Sequence, residues 1–281
     1  MAMRLACADY TWPAAAHALA LDIIHGLGFD AVDIGLMAGR SHIRPEVVGD
    51  EVAAWAGRVR ERCETRGLAV SDVFAQPASF EVMAVNHPDA AEQERAAAFF
   101  RSSLEFARRL GSPGLTLLPG IVFGSEDREQ AAKRAADGLR WRVAEAAAAG
   151  VAVSVEPHVG SVIDTPARAA ALVEMTPGLT LTLDYGHFVA AGVAEETIEP
   201  LVRHARHVQC RGGAPGLLQA GMSASTIDFP RMVRRLAAAG YTGFLACEYV
   251  WSEWQRCNEV DNLTETAALR DVLAAARSEA R

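Results

Sequence analysis

Eight short apolar runs recur along this chain, and most of them are separated by stretches with helical periodicity. The runs fall at 4–8, 31–35, 69–74, 114–118, 151–155, 180–183, 205–210 and 243–248. Residues 51–66 place Val52, Trp55, Val59 and Cys63 on one face at spacings of three and four, and 90–110 does the same with Phe99, Phe100, Leu104 and Leu110. Gly28, Gly67, Gly111, Gly150, Gly178 and Gly240 each close a helical stretch just before a run, where the residue past a helix end needs positive φ. Eight strands alternating with helices predict an α/β fold, a single (β/α)8 TIM barrel occupying 1–281. The length agrees, because barrels of roughly 250 residues are the usual exception to about 150 residues per domain. A doubly wound open sheet is the alternative, but it expects a Gly-rich turn after the first strand, and ADYTWP offers none.

Composition narrows the function classes. With 51% hydrophobic and 22% charged residues, the chain has ample material for a core. The formal charge is −8, and Arg-bearing segments such as 58–66 also carry Glu, so no concentrated positive patch exists for a phosphate backbone. A nucleic-acid partner is not expected. Five cysteines (Cys7, Cys63, Cys210, Cys247, Cys257) form no CxxC pair and are odd in number, which reads as reduced thiols in a cytoplasmic protein. The N-terminus lacks the charged start and long apolar stretch of a signal peptide, and no apolar stretch is long enough for a membrane span.

In a barrel of this kind chemistry sits at the C-terminal ends of the strands. The fifth strand ends Ser154-Val155-Glu156-Pro157-His158, the sixth Leu183-Asp184-Tyr185-Gly186-His187, the seventh His207-Val208-Gln209-Cys210-Arg211, and the eighth Ala246-Cys247-Glu248-Tyr249. Three carboxylates at one mouth repel one another unless a cation neutralises them. Oxygen ligands suit Mn²⁺ or Mg²⁺, and the nearby imidazoles widen the choice to Co²⁺ or Zn²⁺. A single strand-end carboxylate is more simply a helix N-cap or ion-pair partner, but three at corresponding ends, two followed closely by His, go beyond that. The first half is plainer. Arg40, Ser41 and His42 either reach the mouth or bond locally, while His17, His25, His87 and His204 lie in helical or loop contexts with no role expected.

These strand ends resemble the xylose isomerase-like superfamily of sugar and sugar-phosphate isomerases and epimerases. The matching pieces are VSVEPH, LTLDYGH, ARHVQCRGGAPG and IDFPRMVRRLAAAGYTGFLACEYV. The resemblance implies a metal site of Glu156, Asp184, a residue of the seventh strand, and Glu248. Where many relatives carry His-x-His, this chain has His207-Val208-Gln209, so the register puts the Gln209 amide oxygen in the ligand position, and a slipped register puts His207 there. A glutamine ligand favours Mn²⁺ or Mg²⁺.

The resemblance further implies a small-molecule carbohydrate substrate and proton abstraction next to its carbonyl, through an enediolate, with Glu156 and Glu248 as the proton-transfer pair. His187, Arg211 and His158 are the implied substrate contacts. A metal-dependent lyase that eliminates the C1 substituent of a 3-keto sugar or glycoside shares the same enolisation. A nuclease of the endonuclease IV class needs extra His ligands that the 72–76 strand end does not supply, and a non-catalytic sugar-binding barrel does not need three carboxylates. Substrate choice belongs to the loops 37–45, 76–88, 120–127 and 215–226. Trp251, Trp254 and Val250 cover either the mouth or a second subunit of a homo-oligomer.

Overall fold

Every predicted run forms a strand, and the strands pair in sequence order until the last closes on the first. The computed structural model describes residues 3–280, the side chains of 46–50 excepted. In chain order the elements are β1 (Arg4–Ala8), α1 (His17–Gly26), β2 (Ala31–Met37), α2 (Pro45–Glu64), β3 (Ala69–Gln76), α3 (Ala90–Leu110), β4 (Gly114–Leu117) and α4 (Arg128–Ala148). There follow β5 (Ala152–Val155), α5 (Pro166–Met175), β6 (Thr180–Asp184), α6 (Tyr185–Ala190), α7 (Glu195–Ile198), β7 (Ala205–Cys210), α8 (Phe229–Ala238), β8 (Phe244–Cys247) and α9 (Asn262–Glu279). The eight strands form a closed parallel barrel, β1 pairing with both β2 and β8. No helix among the described residues is long and apolar enough to cross a membrane.

Local chemistry sets the helix limits. Asp89, Asp127 and Asp261 each accept two backbone N–H groups at the starts of α3, α4 and α9, satisfying donors that the helix itself leaves free. Gly111 closes α3 at φ 73°, and the other five glycines expected at helix ends also have positive φ. α2 differs from its expected start at 51. It begins at Pro45, whose fixed φ suits a first turn, and its backbone leaves helical geometry at Glu51 (φ −111°, ψ 22°). The amphipathic pattern therefore starts where the helix resumes after a kink.

Strand alternation divides the side chains into two sets. Val32, Ile34, Val73, Leu115, Val153, Val155, Leu181, Leu183, Val208 and Leu245 join the core formed with the helices. The inward set is layered. Ala6, Ala31 and Ala246 cluster inside, with Ala69 and Phe244 packed against them. Above them lies a polar layer that the apolar reading of the runs did not anticipate: His207 Nε2 is 2.7 Å from Asp33 Oδ2, Ser71 donates to Asp33 Oδ1 at 2.5 Å, and Arg206 donates to Asp72 Oδ1 at 2.7 Å and to Ser154 Oγ at 2.7 Å. Asp33, Asp72 and His207 have no exposed surface. The next layer outward is the mouth.

Candidate active site

Glu156 and Glu248 each stand one residue beyond a strand, yet the barrel ladder still holds their backbones. Glu156 N–H donates to Leu117 O at 3.2 Å and Glu248 N–H to Cys210 O at 2.9 Å. Asp184 is the last residue of β6 and caps α6, its Oδ1 accepting from Gly186 N at 2.7 Å. The N-cap role that a lone carboxylate would have is thus real for Asp184, but it uses one oxygen only. All three carboxylates are at most 3% exposed. Glu156 and Glu248 line one pocket whose polar wall also holds His187 and Arg211, and whose apolar wall includes Met37, Phe74, Leu118 and Val250.

Arg211, one residue past β7, joins the acidic groups. Its Nε and Nη2 donate to Asp184 Oδ2 at 2.9 and 2.6 Å, and Nη2 is also 2.9 Å from Glu248 Oε2, 3.2 Å from His187 Nε2 and 3.8 Å from Glu156 Oε1. One guanidinium cannot balance three carboxylates if all of them ionise. Burial pushes the Glu156 and Glu248 carboxyls above the ordinary range, Arg211 opposing and the neighbouring carboxylates adding to the rise. Burial also lowers His187 to about 3 and His158 to about 4, so both rings are neutral at neutral pH. For Arg211, burial acts to lower the pKa, but Asp184, Glu248 and Glu156 raise it well above the usual value, and it stays cationic.

The structure separates the two candidates of the seventh strand. Gln209 Nε2 donates to Glu248 Oε1 and to the Tyr10 hydroxyl, both at 3.0 Å, whereas His207 lies deeper on Asp33. His158 lines the pocket and stacks on Phe80 with ring centroids 4.6 Å apart. Several groups at the site escaped sequence reasoning. Tyr10, just past β1, donates to Glu248 Oε1 at 2.8 Å from 238 positions away. Gln76, which bonds Arg40, and Phe80 also line the pocket, together with Arg40 and Trp254, which the sequence had left open. The only sequence signal for Tyr10 was its place at a strand end. Of the loop residues left open, Arg40 reaches the mouth, Ser41 bonds to the backbone of Met37 and Ile43, and the His42 ring meets Asp9 O at 3.1 Å. His17, expected to have no role, is buried against Asp9 at 3.1 Å. Trp254 covers the site, while Trp251 is 57% exposed.

Residues 21–276 match the family described as the xylose isomerase-like TIM barrel. The chain belongs to that family. Among curated proteins it is similar to a human protein named for hydroxypyruvate isomerase activity, 30% identical over 173 residues that span 54% of this chain and 60% of the human one. Among solved structures it resembles D-psicose 3-epimerase of Clostridium cellulolyticum H10, solved with D-tagatose (TM-score 0.75, 16% identity, covering 98% of this chain and 99% of that one). It also resembles the IolI protein, solved with a bound zinc atom (TM-score 0.75, 16% identity, 99% of each chain). At such identity these structures share the barrel. Within this xylose isomerase-like barrel the donor set fits a divalent cation. Glu156, Asp184 and His187 offer ligand atoms all within 4.8 Å of one another. Glu156 Oε1 and Gln209 Oε1 are buried without a hydrogen-bond partner, and Glu248 Oε2 has only the Arg211 ion pair at 2.9 Å. Unsatisfied buried oxygens in a cluster of carboxylates are what a hard cation satisfies.

Proposed function

We propose that this chain is a divalent-metal-dependent isomerase or epimerase acting on a small sugar or hydroxy-keto compound, by proton transfer at the carbon next to the carbonyl. The observation that carries this reading is the pair of buried glutamates, Glu156 and Glu248, facing one pocket from β5 and β8 with Asp184 and Gln209 on the strands between them. Glu156, Asp184, Gln209 and Glu248 would hold the ion, with Mn²⁺ or Mg²⁺ preferred for an oxygen-rich set and Co²⁺ or Zn²⁺ as substitutes. When bound, such an ion supplies Lewis-acid polarisation of the substrate carbonyl and offsets the charge of the enediolate.

The chain's own groups do the rest. One glutamate removes the proton and the other returns one, on the opposite face for an epimerase or at the neighbouring carbon for an isomerase. Neutral His187 and His158 exchange hydrogen bonds with substrate oxygens, and Arg211 presents positive charge to them. Met37, Phe74, Leu118 and Val250 form the apolar wall and limit water at the reacting carbon. The similarity to the human protein makes hydroxypyruvate a first substrate to try, with ketoses such as D-psicose and D-tagatose beside it.

A second reading draws on one further observation. An apolar cavity lined by Phe80, Met83, Phe99, Phe100, Leu118 and Ile121 adjoins the site, sharing Phe80, Leu118 and His158 with it. It suits an apolar substituent leaving C1 of an enolised 3-keto glycoside. The test is incubation of the Mn²⁺-loaded protein in D₂O with hydroxypyruvate, with ketoses and with an aryl 3-keto glycoside, followed by NMR. Deuterium at the carbon next to the carbonyl with isomer or epimer supports the first reading, and free aglycone the second. No wash-in and no product from any of them sinks both.

A further inference from the structure

We infer that Arg211 is a displaceable internal cation: its guanidinium sits on carboxylate oxygens that a divalent ion would use, so the two compete for them and the guanidinium is pushed back when the ion binds. This rests on the metal-dependent reading above. Asp184 and Glu248 each have one oxygen engaged by other donors and the other turned to the guanidinium. Asp184 Oδ1 is taken by the N–H of Gly186, and Oδ2 by both Nε and Nη2 of Arg211. Glu248 Oε1 is taken by Tyr10 and Gln209, and Oε2 lies 2.9 Å from Nη2. A divalent ion coordinates oxygen at about 2.0–2.4 Å. On Asp184 Oδ2 and Glu248 Oε2 it would share each oxygen with a nitrogen at 2.6 and 2.9 Å, and a dication that close repels a guanidinium in a buried pocket.

The exchange is a side-chain motion. The backbone leaving β7 is pinned: Gly212 N–H donates to Tyr249 Oη at 3.0 Å, and Gly212 O accepts from Ala220 N at 2.7 Å. A Cβ on Gly212 would sit 2.3 Å from Ala220 O, so no other residue fits without moving that contact. Arg211 itself lines the open pocket, which gives its guanidinium somewhere to go. The guanidinium offsets part of the charge of the clustered carboxylates, which means that ion binding is weaker than the ligands alone would give.

Mn²⁺ titration of the metal-free protein by calorimetry tests this, with R211M, which keeps the bulk without the charge, and R211K, which keeps the charge. R211M is expected to bind Mn²⁺ at least ~10-fold more tightly than the parent, with R211K close to the parent. Equal or weaker binding by R211M overturns the inference while leaving the metal reading intact. Absence of Mn²⁺ binding by the parent and both folded variants overturns the metal reading and the inference together. The parent protein gives a second measurement that needs no R211M. Its Arg211 Nε–Hε resonance, assigned by comparison with R211K, should shift on saturation with diamagnetic Mg²⁺. A resonance unmoved at saturation overturns the displacement.

Discussion

Glu156 and Glu248 sit in the same pocket, but their hydrogen bonding differs. Glu248 Oε1 accepts from Tyr10 and Gln209, whereas Glu156 Oε1 has no hydrogen-bond partner, with His187 Nε2 at 3.4 Å and Arg211 Nη2 at 3.8 Å. If both transfer protons, E156Q and E248Q each lower kcat by about 10²–10⁴-fold with the thermal midpoint held or raised, since each removes a carboxylate that burial disfavours. Near-normal turnover in either purified variant would remove that residue from the pair. Y10F separates position from charge. The Tyr10 bond favours ionised Glu248, so its loss raises that carboxyl further and moves the acidic limb of kcat/KM to higher pH. A profile that keeps its limb in place would show that Glu248 is not the group titrating.

At the scale of elements, β2, β3 and β7 carry a polar layer beneath the site. Asp33 and Asp72 are fully buried, and His207 and Arg206 provide their positive partners. Burial raises Asp72, and Arg206 is the main influence holding it down. Removing one member of a buried pair strands the other, at a cost of roughly 3–5 kcal/mol. R206M is therefore expected to lower the unfolding free energy measured in urea by that amount while a folded enzyme keeps its KM, because Arg206 does not line the pocket. A loss below about 1 kcal/mol would mean that Asp72 takes up a proton and needs no partner. Gly114 belongs to the same layer, since a Cβ there would lie 2.1 Å from Arg206 Nη1. The periodicity of β4 could not show that requirement, because the guanidinium comes from β7.

For the molecule as a whole, the buried site makes stability depend on pH and on metal. Glu156 and Glu248 have raised folded pKa values, so above the ordinary Glu pKa the native state binds more protons than the unfolded chain, and stability falls as pH rises. His187 and His158 are lowered to about 3 and 4 and act oppositely, but only up to the unfolded His value near ~6.5. The metal-free protein should therefore lose thermal stability from about pH 6.5 until the two glutamates ionise at about 8, and saturating Mn²⁺ should flatten that fall because it favours the ionised carboxylates. Calorimetry at several pH values, with and without Mn²⁺, checks both; a midpoint that climbs through this range without metal contradicts the assignment. The barrel and the carboxylates at its mouth were legible in the sequence, because strands covered on both faces read as apolar runs and strand-end residues keep a fixed place relative to those runs. What only the tertiary structure decided is how distant groups meet there. Closure of β8 on β1 brings Tyr10 to Glu248, strand register puts Gln209 at the mouth and His207 below it, and Arg211 turns inward among carboxylates from three other strand ends. Local pattern records which way a side chain alternates. Barrel closure decides what it meets.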